Sequence, residues 1–168
     1  MATPNERLVY AAKTDSADML NEVLNGSEEY DVNWQDGLGN TALHYAASSP
    51  SPDALSILLE TDGTDVDLQN RLDQATPLHL AVKLDNEAAR QGVIEMLLDA
   101  GADTTLKDVH GLRVQDHLRP DSSAIDKEIL QMIREAQAEK TRGNIAHNAD
   151  LADDDDDEPG SGSGSESD

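Results

Sequence analysis

Residues 39–47 read GNTALHYAA and residues 74–82 read QATPLHLAV, one pattern stated twice at an interval of 35. Thr41, Leu43, His44 and Ala46 superimpose on Thr76, Leu78, His79 and Ala81. The same interval taken backward from Leu43, Tyr45, Ala46 and Ala47 lands on Leu8, Tyr10, Ala11 and Ala12. A downstream apolar pair keeps the register, from Val23-Leu24 to Leu58-Leu59, and reaches Leu97-Leu98 after four extra residues near Asp85 to Gln91. So many positions held at one period identify a chain built of stacked repeats, in which neighbours bury a shared core.

Each unit reads as helix, turn, helix and loop, which makes the chain all-α. Thr41 and Thr76 suit N-caps, whose hydroxyls accept from free backbone N–H groups, and Pro77 suits the first helical turn. Small Ala11, Ala46 and Ala81 let the first helix approach its neighbour. The second helix shows in Met19, Leu20, Val23 and Leu24, in Leu55, Leu58 and Leu59, and in Val93, Ile94, Leu97 and Leu98, at three-to-four spacing. Gly26, Gly63 and Gly101 follow the last apolar pair, where a left-handed residue ends a helix. The linking segments DVNWQDGLGN, DVDLQNRLDQA and DTTLKDVHGL carry Asp, Asn and Gly, the residues of extended segments closing in tight turns.

Together with LLDAGAD at 97–103, these motifs resemble the ankyrin repeat, with its T-P-L-H-x-A helix start and L-L-x-x-G-A-D helix end. The resemblance covers residues 5 to about 118. It implies a short ankyrin-repeat solenoid with repeats at about 5–38, 39–73 and 74–110, and a degenerate fourth at 111–120. A capping helix at 122–140 completes a domain spanning 1–142. The resemblance also implies that His44 and His79 hydrogen-bond between adjacent repeats, a structural role shared by Thr41, Thr76, Pro77 and Gly101. The third unit departs from the pattern with a turn one residue longer, and Gln74 stands where Gly39 stands in the second. The fourth has Arg113 for Thr and Asp116 for His. In the capping segment, Ile125, Ile129, Met132, Ile133 and Ala136 form one apolar stripe.

Composition limits the rest. The 168 residues hold 35 acids and 12 bases, a formal charge of −23. Such a surface repels phosphate, which argues against nucleic acid and anionic membranes as partners. Residues 1–106 carry nineteen acids and five bases (net −14), residues 107–149 balance, and residues 150–168 carry nine acids and no base. Residues 143–168 therefore read as a disordered acidic tail. Cysteine is absent, which excludes disulfides and thiolate chemistry. Phe is also absent, with one Trp and three Tyr, so the core must come from Ala, Leu, Val, Ile and Met. The opening MATPNERLVY lacks the basic-then-apolar order of a signal peptide, and a cytoplasmic protein able to diffuse into the nucleus is expected.

No nucleophile elbow, phosphate loop, dinucleotide glycine pattern or metalloprotease motif occurs. No enzyme, cofactor or metal is expected. His110 and His117, seven apart beside Asp108 and Asp116, invite a metal site, but the spacing brings no ligand set together and surface histidines are the reading preferred. Ser165 and Ser167 lie in an acidic context of the kind acidophilic kinases modify.

The function expected is protein binding. The ankyrin resemblance implies that turn tips and exposed first-helix positions make a concave binding face. The tip positions are Trp34, Asp36 and Leu38, then Arg71, Leu72 and Asp73, then Asp108, Val109 and His110, with Tyr45 and Leu80 on the first helices. Trp34, the only Trp, is expected to anchor a partner at an interface hot spot. Apolar tips on an acidic body suit a basic protein such as a ribosomal protein, histone or translation factor, and the pairing with an acidic tail resembles the small fungal ankyrin proteins that escort newly made ribosomal proteins. The chain itself is expected to be a monomer. A regulatory or scaffold subunit of a larger complex is the alternative.

Overall fold

Five of the first six helices begin with the same device. The side-chain oxygens of Thr3, Ser16, Thr41, Thr76 and Asn86 accept the backbone N–H three residues on, at 3.2, 3.4, 3.3, 3.2 and 2.8 Å. Each satisfies one of the donors a helix start leaves free. In the computed structural model these caps open α1 (Pro4–Lys13), α2 (Ala17–Leu24), α3 (Ala42–Ser48), α5 (Pro77–Ala81) and α6 (Glu87–Asp99). Helix α4 (Pro52–Glu60) starts on Pro52 instead. A 3₁₀ turn at Val114–His117 and a long helix, α7 (Ala124–Asp156), follow. The structure describes the backbone of residues 1–156 and the side chains of residues 1–145. The described residues are helical without a strand, and no helix among them is long and apolar enough to cross a membrane.

Two layers result. Helices α1, α3 and α5 contact one another in order, and α2, α4 and α6 stack beside them. Ala11, Ala46 and Ala81 are fully buried, as small residues at a close helix contact must be. Leu20, Leu55, Leu58, Ile94 and Leu97 fill the space between the layers, at 1% exposure or less. Burying each such side chain contributes about 1.5–3 kcal/mol, which a core without Phe must collect from many aliphatic residues.

The four extra residues of the third unit have a defined use. Helix α6 is 13 residues long against nine for α4. The added turn carries Arg90, whose guanidinium donates to Leu84 O at 2.6 Å and to Asp126 Oδ1 of α7 at 2.8 Å. Asp126 Oδ2 accepts the Arg119 N–H at 2.8 Å, and Ser123 Oγ donates to Glu87 at 2.7 Å. The insertion is thus the seat of the closing helix. Ile129 and Ile133 of α7 join the core, and the repeat unit extends through Ile133; a second unit begins at Arg134.

Two expectations change. Gly63 and Gly101 are left-handed (φ +85° and +88°), but Gly26 is not among the left-handed residues. A Cβ there would meet Glu22 O at 2.9 Å, so the position needs glycine for space. The closing helix, expected at 122–140, starts at Ala124 and runs to Asp156. The remainder of the acidic tail, with Ser165 and Ser167, lies outside the described residues.

Candidate partner-binding face

Each linking segment closes in a turn opened by a short polar side chain. Asp36 Oδ1 accepts the N–H groups of Leu38 and Asn40 at 2.9 and 3.0 Å. Asn70 Oδ1 does the same for Asp73 and Ala75 at 3.2 and 3.0 Å, and Asp108 Oδ1 for His110 and Leu112 at 2.9 and 3.1 Å. The turn at Asn70 spans one residue more than the others, and Gln74 takes the left-handed conformation of Gly39 (φ +53° against +83°). Successive turns are tied together: Arg71 N–H donates to Leu38 O and Val109 N–H to Asp73 O, both at 2.9 Å. Gln35 and Gln69 add side-chain amide bonds from each turn to the next.

This framework lifts one apolar side chain per turn into solvent. Leu38 is 50% exposed, Leu72 68% and Val109 51%. Arg71 and His110 are exposed beside them, and Asp73 and Leu80 are half-buried. Tyr45 is half-buried as well. Its hydroxyl donates to Asp36, and the Lys13 ammonium lies 4.3 Å over its ring. Burial opposes the charge on Asp36, but the Tyr45 hydroxyl, the turn N–H groups and Lys13 outweigh it and lower its pKa. Burial and the Asp36 carboxylate raise that of Tyr45.

Two of the residues singled out from the sequence are more buried than the exposed tips. Trp34 is half-buried with its side chain packed against the core, as that of Tyr45 is. Asp108 is 4% exposed: Oδ1 holds its turn and Oδ2 meets His117 Nε2 at 2.8 Å. Burial resists ionisation of Asp108, yet the N–H groups of Leu112 and His110 with the His117 ring hold its pKa down to about 2. One exposed residue was passed over. Tyr10, 58% exposed on α1, stands 35 residues before Tyr45, and the repeat register alone could have placed it on the inner-helix row.

The repeated histidines do what the resemblance implies. His44 Nε2 reaches Ala75 O at 3.0 Å and His79 Nε2 reaches Leu112 O at 3.0 Å, each bridging one repeat to the next. Each Nδ1 closes a capping box with the N–H of Thr41 or Thr76. Burial lowers both histidine pKa values, so both rings are neutral near pH 7. The expectation that no ligand set converges near His117 does not hold. His79, Asp108 and His117 offer ligand atoms within 4.8 Å of one another, and His110 meets Asp108 through its backbone N–H.

The family model for ankyrin repeats (three copies) matches residues 8–108, well over half of the chain. The chain belongs to the ankyrin-repeat family. An ankyrin repeat-containing protein of Saccharomyces cerevisiae is 29% identical over 161 residues, covering 89% of this chain and 87% of its own length. Neurogenic locus notch homolog protein 1 of Xenopus laevis is 35% identical over 109 residues, 65% of this chain. Human ankyrin repeat and SOCS box protein 6 is 33% identical over 94 residues, 56% of this chain. The matched segments make up only 4% and 21% of those two proteins. Ankyrin repeats are protein–protein interaction modules, as a rule without catalysis.

Proposed function

We propose that this ankyrin-repeat protein is a non-catalytic binding module for a basic client, of the ribosomal-protein or translation-factor kind, which it escorts in the cytoplasm. The observation that carries the reading is the row Leu38, Leu72 and Val109, exposed at equivalent tips on a body whose first 106 residues carry a net charge of −14. Apolar anchors supply the desolvated centre of an interface, and the acidic surround accelerates encounter with a cationic partner. The rigid tips reduce the ordering cost of binding.

The test is binding of the full chain to a panel of purified basic ribosomal proteins and translation factors at low and high salt, with Leu72→Asp alongside. An escort should retain one client best, lose affinity at least tenfold between 50 and 500 mM salt, and lose a further tenfold with Leu72→Asp. Salt-independent binding to an acidic or neutral complex, with no response to the panel, would replace the escort with an adaptor subunit.

A further inference from the structure

The three inner-helix junctions are built on one plan with different side chains. The residue after the capping-box position is Tyr45, then Leu80, then His117, and the turn is opened by Asp36, Asn70 and Asp108. Tyr45 bonds Asp36 through its hydroxyl, and His117 bonds Asp108 in the same place. The histidine contributed by the preceding repeat is His44 at the second junction and His79 at the third, and the register puts Val9 at the first. Only the last junction therefore combines a carboxylate with an imidazole on either side of it.

We propose that His79 Nε2, Asp108 Oδ2 and His117 Nε2 form a binding site for one zinc-class divalent ion. Two imidazoles and a carboxylate are a donor set for a borderline metal, not for calcium or magnesium. Each of the three residues offers a ligand atom within 4.8 Å of those of the other two, and His117 Nε2 already stands 2.8 Å from Asp108 Oδ2. Zinc bonds of about 2.0–2.1 Å put tetrahedral ligand atoms about 3.4 Å apart, so the cluster closes by no more than about 1.4 Å. Groups able to hold the ligands stand nearby. Thr76 Oγ1 sits 2.9 Å from His79 Nδ1 and accepts its proton when Nε2 takes the metal. Asp108 Oδ1 is fixed by two backbone N–H groups, which aims Oδ2 at the cluster.

The ion replaces existing bonds. His79 gives up Leu112 O and the Thr76 N–H, and the His117–Asp108 bond becomes a shared coordination. The site is therefore of moderate affinity, and it joins the third repeat to the degenerate fourth. His117, whose side chain is 16% exposed, gives the ion its way in, and three protein ligands leave a fourth position for water.

The experiment uses chelator-stripped full-length protein titrated with zinc chloride by calorimetry and thermal shift, beside Asp108→Asn and His117→Tyr. Both variants copy residues that other junctions of this chain use at the same places, Asn70 and Tyr45, so both should fold. Wild type should bind one zinc per chain at least tenfold more tightly than either variant, with a rise in Tm that the variants lack. Equal titrations for all three would assign the metal to surface carboxylates and overturn the site. As a second reading on wild type alone, one equivalent of zinc should shift the imidazole resonances of His79 and His117 and leave that of His110 in place. Unmoved His79 and His117 resonances would equally overturn it.

Discussion

His44 and His79 occupy the same position in consecutive repeats and are wired alike, yet they close onto different neighbours. His44 bonds Ala75 O, a fully buried carbonyl that leads into the capped helix α5. His79 bonds Leu112 O in a partly buried setting that leads into a 3₁₀ turn. There Arg113 stands in place of the capping Thr, and Asp116 accepts its N–H at 2.8 Å, keeping half of the capping box. One junction propagates the stack and the other ends it. The stack can end there because the start of α7, up to Ile133, packs Ile129 and Ile133 into the core and is held by the buried Arg90–Asp126 pair. The side chains that terminate a repeat array are thus new contacts laid over a conserved junction, not a different junction.

The sharpest way to break the terminal side is Arg90→Ala, which leaves Asp126 buried without its cation. A loss of about 3–5 kcal/mol is expected in urea unfolding, and a loss under 1 would show that α7 is not seated through this pair. Next come the histidines themselves. His44→Ala should cost about 2–4 kcal/mol, because a cavity and two unpaired backbone groups remain in the core. His79→Ala should cost about 1–2 kcal/mol, since water can reach its partner carbonyl; equal losses would erase the distinction between the two junctions.

Acid probes both at once. Both rings are neutral when folded and titrate near pH 6.5 when unfolded, so their contribution is complete above pH 6.5. Stability should fall as pH drops below that value, by at most about 1.4 kcal/mol per pH unit for each histidine. Asp108, ionised in the fold down to about pH 2 against an ordinary 3.8, adds a second decline only below pH 4. Thermal melts between pH 3 and 8 should separate the two windows, and a flat profile from pH 7 to 5 would mean the histidines are not held neutral. The smallest effect concerns the turns. Gln74 holds a left-handed conformation that Gly39 adopts freely, so Gln74→Gly should gain about 0.5 kcal/mol, and a loss of stability would contradict the strain.

Much of this was legible in the residues. Thr41 and Thr76 announce helix caps because the donor-acceptor geometry is local, spanning three residues, whereas the capping-box role of His44 and His79 showed only in the structure. The aliphatic pairs announce the outer helices because burial follows helical spacing. Trp34 marks the limit of such reading: its place in a turn is a local fact, but how much of its ring is buried depends on how the rest of the core packs against it. The four residues inserted before Val93 could be counted in the sequence, but their use as a seat for α7 could not, since Arg90 and Asp126 stand 36 residues apart with no period linking them.

The sequence by itself determined the repeat, its register, the helix starts and the acidic character, because caps, periodicity and charge are short-range properties written in residue type. Only the tertiary structure decided which side chains the face presents and which it consumes. Leu72 is free while Asp108 is spent, and His79 meets His117 across two repeats. Those outcomes depend on which groups the stacking of separate turns brings within a hydrogen bond of each other, and stacking is a property of the assembled layers.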